Sequence, residues 1–223
     1  MKRALNAVAA VLLLAAGTAA CGSGSSGSAA AAPAGPAAPG NPGAAGAAQA
    51  AAYRLGTPGS AGGYAFHQAT GASEQKMSTE EQRITGLLGI SGTPVRALYD
   101  DAAENEWIVF IGVNGTGFDP SRLHARLWQP PITRPDGSGN RSTLSWQDAD
   151  PGPHGGRAIC SEELLQSGAM AAENSACMWM TPTTFGEVSF YPKGFSDRLL
   201  KGFTTADAVN LMRGIRADVE QSA

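Results

Sequence analysis

The chain has 223 residues, room for one domain or two small ones, with 16 basic residues, 19 acidic residues and a net charge of −3. Only Lys2, Arg3 and Arg54 are charged in residues 1–62, so the 13 basic and 19 acidic residues that remain put 63–223 at −6. That balance argues against a nucleic-acid binder, which needs a basic face, and three cysteines with three histidines argue against a structural zinc protein.

Residues 1–21 read as a secretory signal: Lys2 and Arg3 precede an apolar stretch from Ala4 to Ala20, and small residues lead into Cys21. Thr18-Ala19-Ala20-Cys21 resembles a bacterial lipobox. The resemblance implies that Cys21 carries a diacylglyceryl group and is the membrane anchor. Cleavage without lipid, leaving a free thiol, and retention as an uncleaved anchor stay open beside it. Residues 22–62, rich in Ala, Gly, Pro and Ser, lack the apolar side chains that would offset the entropy of ordering. They are expected to be a disordered tether, with a single α+β domain at 63–223.

Along that domain, Gly63 to His67 alternates as an entry strand, and Ser78-Thr79-Glu80-Glu81 is a capping box that predicts a short helix over 79–88. Val95 to Tyr99 and Trp107 to Val113 read as an antiparallel hairpin, with Asp100, Asp101, Glu104 and Glu106 on its solvated tip. Asp119-Pro120 opens a second short helix through Leu127. Residues 130–155, dense in proline and glycine, read as one long loop, the segment most suited to a binding surface. Strand-like runs follow at 157–160, 176–180 and 185–191. An amphipathic helix over 205–220 places Ala208, Leu211, Met212, Ile215 and Val219 on one stripe, with Asp218 on the other side. The expected fold is α+β: an antiparallel sheet of about five strands covered by that C-terminal helix, plus two short helices.

An exported chain folds where disulfides persist, and with Cys21 lipidated, Cys160 and Cys177 remain as a pair. A strand between theirs would hold them about 9.5 Å apart, beyond the roughly 7 Å that a disulfide tolerates. Their strands must therefore pair directly, with 161–175 an excursion containing a turn of helix at Glu162 to Leu165. The run Gly155-Gly156-x-x-x-Cys160, then Cys177-x-Trp179, Gly186-x-Val188 and Arg213-x-x-Arg216, resembles a family of uncharacterised actinobacterial secreted and membrane-anchored lipoproteins with a Cys…Cys-x-Trp hairpin. The resemblance implies architecture and an extracytoplasmic location, and no activity.

No nucleophile elbow, zinc-protease helix, C-x-x-C or phosphate loop occurs, so no catalytic residue, metal or cofactor is assigned. Trp146, Asp148, Asp150, His154 and Trp179 are the candidate binding residues, although core packing is the simpler role for Trp179. Asp148, Asp150 and His154 offer cation ligands, but no calcium-binding repeat accompanies them. The expected protein is a lipid-anchored, extracytoplasmic, non-enzymatic module that meets the membrane through Cys21 and binds an envelope protein, polymer or small ligand. The alternative is a cell-envelope hydrolase using His124 or His154 with a nearby carboxylate. A histidine–carboxylate pair in a concave site is the feature that separates them.

Overall fold

In chain order the strands are β1 (Tyr53–Leu55), β2 (Ser60–Ala61) and β3 (Tyr64–His67), followed by helix α1 (Ala72–Leu88). Next come β4 (Thr93–Asp101), β5 (Glu106–Asn114), α2 (Ser121–Leu127), β6 (Ile132–Pro135) and β7 (Asn140–Ala149). The chain ends with β8 (Arg157–Ser167), β9 (Met170–Met180), β10 (Thr184–Pro192), α3 (Thr205–Val219) and β11 (Glu220–Ser222). This computed structural model describes residues 52–168, 170–193 and 204–223, all within one compact unit that spans Ala48–Ala223. The expected signal at 1–21, with Cys21, and most of the expected tether lie outside the described residues. Among the described residues, no helix is long and apolar enough to cross a membrane.

Nine strands form one antiparallel sheet in the order β2-β3-β4-β5-β10-β9-β8-β7-β6. It is two meanders, β2 to β5 and β6 to β10, joined edge to edge where β5 pairs with β10. The fold is α+β as expected, but the sheet is almost twice the expected size. Two corrections account for much of the difference. Residues 130–155 are not one loop: β6 and β7 form a hairpin whose turn is closed by Asp136, which accepts hydrogen bonds from Ser138 and Asn140. Those donors hold the exposed Asp136 carboxyl down to about 2. Residues 161–175 contain no helical turn either, because β8 and β9 stay paired from Arg157↔Met180 to Ser167↔Met170.

The predicted β4–β5 hairpin is present, with Asn105 in the left-handed region at its turn. Its tip is less solvated than the sequence suggests. Asp101 and Glu106 are buried as a ladder pair, and burial, then Asp101 and Glu104, push the Glu106 carboxyl up to about 7. Helix α1 starts a turn and a half before the expected capping box. Thr79 bonds back to the Gln75 carbonyl from inside the helix, at 2.9 Å, instead of capping it.

Alternation along the central strands divides the core. On one face, Tyr99, Ile108, Phe110, Cys177 and Trp179 pack with Met212 and Ile215 of α3. On the other, Val113, Ile159, Met178, Met180 and Phe185 pack with Ile84 and Leu88 of α1 and Leu123 and Leu127 of α2. Helix α3 starts at a capping box in which Thr204 accepts from the Asp207 N–H and the Asp207 carboxylate accepts from the Thr204 N–H. Its stripe differs in one position: Met212 and Ile215 are fully buried, whereas Leu211 sits half-buried at the rim. Gly186 faces the Trp179 indole, and a Cβ there would come within 2.2 Å of the ring.

Cys160 and Cys177 are directly opposite in β8 and β9 and form a disulfide, with Cα atoms 4.1 Å apart. Replacing both by alanine is expected to lower stability by about 3 kcal/mol, the loop-closure value for a separation of this size. Urea denaturation of the parent and the double variant checks it.

Glu187 lies in β10 with its carboxyl buried under α1, and Oε2 has no hydrogen-bond partner. Burial, then Glu80, push it up to about 8, against a smaller opposing pull from Arg83. The folded protein thus keeps a proton that the unfolded chain releases in the ordinary carboxylate range. Stability should fall as pH rises from that range to about 8 and then level off. Glu187→Gln is expected to flatten much of this fall and to stabilise the protein at pH 9, leaving the smaller slope due to Glu106. Urea midpoints at pH 5, 7 and 9 read it.

Candidate functional site

The end of the sheet where β7 turns into β8 gathers most of the candidate residues. The turn runs Pro151-Gly152-Pro153-His154-Gly155-Gly156, and Gly152, Gly155 and Gly156 all have positive φ. At Gly156 the requirement is steric as well, since a Cβ would come within 2.2 Å of the Met180 carbonyl oxygen. Asp150 opens the turn by accepting the Gly152 N–H at 2.9 Å, and its other oxygen lies 3.3 Å from Arg213 of α3.

Inside the turn is a buried charged cluster. Glu220, with a side chain 0% exposed, accepts Arg216 Nε at 2.6 Å on Oε2 and Trp179 Nε1 at 3.1 Å on Oε1. The Thr184 hydroxyl also donates to Oε1, and His154 Nδ1 lies 3.0 Å from Oε2. Arg216, only 2% exposed, donates through Nη1 to the Pro151 carbonyl at 2.7 Å and lies 5.6 Å from the Trp179 ring centre. Its Nη2 is buried without a hydrogen-bond partner. Tyr53 of β1 stacks on His154 with ring centres 4.5 Å apart.

On the outer side of the same turn, Asp148, Ala149, Pro151, Gly156, Arg157 and Ala158 line an open depression of about 320 Å³. Asp148, 60% exposed, has Oδ2 3.8 Å from His124 Nε2 of α2, and the His124 ring stacks on Trp128. Trp128 is 46% exposed.

No family model, curated protein or solved structure matches this chain. Its chemistry is therefore read from these side chains.

The turn thus brings together Asp148, Asp150 and His154 but gives them different tasks. Asp148 faces the depression, Asp150 braces the turn, and His154 is held by Glu220. Trp146 is half-buried on the α2 side of the sheet, with Nε1 lacking a partner. Trp179 is corrected as a contact candidate: it is fully buried, and its N–H is committed to Glu220. Among the described residues no three His, Cys, Asp or Glu side chains converge as a metal site. Both histidines named for the hydrolase alternative do have a carboxylate neighbour, His124 at 3.8 Å and His154 at 3.0 Å. The Glu220 carboxylate, however, already holds Arg216, Trp179 and Thr184, so its lone pairs serve the fold.

Sequence reasoning missed Glu220, Arg157 and Trp128. Arg216 was noted only as half of an Arg-x-x-Arg motif. Glu220 is 66 residues from His154, but it stands four residues after Arg216, and that i,i+4 ion-pair spacing at the end of α3 was the local signal available.

Proposed function

We propose that this chain is a lipid-anchored extracytoplasmic module, held to the membrane through Cys21, that binds an envelope partner at the depression beside the β7–β8 turn. The charged start, apolar run and small residues before Cys21 support the anchor. The observation that carries the binding surface is the depression itself: Asp148 and Arg157 line it, exposed, on a turn braced from behind by Asp150, Arg213 and the Arg216–Glu220 pair. A rigid, mostly preformed concavity with a few convergent polar groups suits recognition. Binding is favoured over hydrolysis because the better-held histidine, His154, has its carboxylate spent on structural donors.

The test has two stages. Cys21→Ser is expected to leave the membrane fraction, since one cysteine supplies the whole lipid anchor. In that background, protein added to washed envelopes is expected to be retained, and Asp148→Ala with Arg157→Ala to cut retention at least tenfold. A Cys21→Ser chain that stays acylated and membrane-bound defeats the anchor. Retention indifferent to Asp148 and Arg157 defeats the binding surface.

A further inference from the structure

We propose that the face of the domain built by α1 and α2 docks on the bilayer surface, with Trp128 and Leu87 seated among the headgroups and Arg126 on anionic phosphates. The inference rests on the reading of Cys21 as the anchor, and it adds which side of the domain meets the membrane.

The first step is placement. Both helices cover the same face of the sheet, where Ile84 and Leu88 of α1 share a core with Leu123 and Leu127 of α2. Along α1, Glu74 and Glu81 pair with Arg96 of β4, while Glu80 and Arg83 are the charges that act on Glu187 of β10. Leu87 follows Arg83 by four residues and Glu80 by seven, so it stands on the β10 side of the helix. In the sheet order β10 leads to β9 and β8, the strands under α2, so that side of α1 is the one turned to α2. On α2, Arg122 reaches back to the Leu88 and Gly89 carbonyls at 3.3 and 3.1 Å, and Arg126 follows one turn later on the same side. His124 is on the opposite side, 3.8 Å from Asp148, with Trp128 stacked on its ring. Ala125 lies on the ridge between the two sides, turned away from buried Leu123 and Leu127. Leu87, Arg122 and Arg126, Ala125 and Trp128 thus follow one another across one outward surface, and all are exposed.

The second step is chemistry. Trp128 is 46% exposed and Leu87 44%, and with His124 stacked on one face the indole is open on the other. An apolar ring with one N–H suits the headgroup level of a bilayer. Helix α2 carries Arg122, His124 and Arg126 and no acidic residue, although residues 63–223 sum to −6. The carboxylates beside it are engaged, Asp119 by Ser121 and Asp148 by His124. Exposed Arg126 is therefore placed to meet a lipid phosphate. A folded partner fits this surface poorly. The core of a protein interface is depleted of charge, whereas here the arginine row separates Leu87 from Trp128. Two apolar side chains and a cation hold weakly, which suffices only for a surface to which the chain is already tied. The stretch from 22 to 52 reaches about 100 Å at full extension, against a radius of gyration of roughly 16 Å for a unit the size of Ala48–Ala223. Such a length allows any face to meet the membrane, and the pattern of side chains selects this one.

The experiment uses the full-length chain, as expressed and purified, in vesicles of phosphatidylcholine with about one third phosphatidylglycerol and with bromine high on the acyl chains. Bromine quenches tryptophans that enter the bilayer surface, and Trp107, Trp146 and Trp179 are all less exposed than Trp128. Quenching is expected in the parent and at least fivefold weaker in Trp128→Ala. It should be at least twofold weaker in Arg126→Glu or without phosphatidylglycerol. Both residues are exposed, so both variants should keep the parent's thermal midpoint. Parent quenching no stronger than in Trp128→Ala, or unchanged by Arg126→Glu, overturns the proposal. Shielding of Trp128 from acrylamide by washed envelopes, without bromine quenching in vesicles, gives this face to a protein and also overturns it. Flotation and mass spectrometry separate this failure from that of the anchor. An acylated chain that floats with the vesicles without Trp128-dependent quenching keeps the anchor and loses the docking face. Trp128-dependent quenching by a chain that carries no acyl group keeps the docking face and removes the anchor. A chain that neither floats nor is quenched removes both.

Discussion

Glu220→Ala is expected to destabilise the fold by about 3–5 kcal/mol, the usual consequence of removing one partner from a buried ion pair. The Arg216 guanidinium is 2% exposed and spends its Nε on this carboxylate. Without Glu220 a buried cation keeps only the Pro151 carbonyl at Nη1, and Nη2 is already unpartnered. Trp179 Nε1 and the Thr184 hydroxyl lose their acceptor in the same step. Each buried donor left unsatisfied costs its own desolvation. Glu220→Gln keeps the shape and one acceptor oxygen but not the charge, so it should fall between parent and alanine. Adding Arg216→Met to Glu220→Ala should recover part of the loss, because the orphaned charge is then gone. Urea denaturation of the four proteins reads the series. A Glu220→Ala protein within about 1 kcal/mol of the parent would mean that the cluster does not hold this end of the sheet together.

The cluster also shows where sequence reasoning stops. Features written in adjacent residues or in simple counting were legible: the β4–β5 hairpin from two β-rich runs, the α3 helix from its apolar stripe over 205–220, and the Cys160–Cys177 bridge from two cysteines left as a pair, which in turn required their strands to pair directly. Strands made by pairing rather than by burial were not. β7 reads Asn-Arg-Ser-Thr-Leu-Ser-Trp-Gln-Asp-Ala and is mostly half-exposed, so the apolar alternation that marks a strand is weak. Glu162-Glu163-Leu164-Leu165 has good helix formers, yet registry with β9 overrides that local preference and keeps it extended. The polar site is less legible again. His154 was visible as a candidate, but its meaning depends on Glu220, Tyr53 and Arg216, which arrive from β11, β1 and α3. Trp128 reads as one more apolar position with Leu123 and Leu127, whereas it is 46% exposed, because exposure is a property of the assembled surface.

The sharpest departure from the sequence reading lies at the amino end, where the expected tether through residue 62 contains two strands. Deleting 52–62 is expected to lower stability by more than about 3 kcal/mol, where a composition argument alone expects no change. Leu55 is buried among Phe110, Met212 and the rest of the α3-side core, and truncating one such residue costs about 2–5 kcal/mol. Its backbone is clipped on both sides by Asn114, which accepts from the Leu55 N–H at 2.7 Å and donates to its carbonyl at 3.0 Å. Thr183 makes the same two contacts with Tyr53, at 3.0 and 2.9 Å. Beyond these, β1 supplies the ladder partner of β11, where Glu220 sits opposite Leu55, and Ala61 is fully buried under α3. Removing the segment therefore strips the cover from one side of Glu220 and takes away the ring stacked on His154. Asn114→Ala isolates the clip from the deletion and should cost about 1–2 kcal/mol, since two main-chain groups of Leu55 lose their partners at once. Chemical denaturation of the parent, the deletion and Asn114→Ala decides the matter. A deletion variant that unfolds at the parent's urea midpoint would show that β1 and β2 add nothing to the core, and that the fold begins where composition alone would place it.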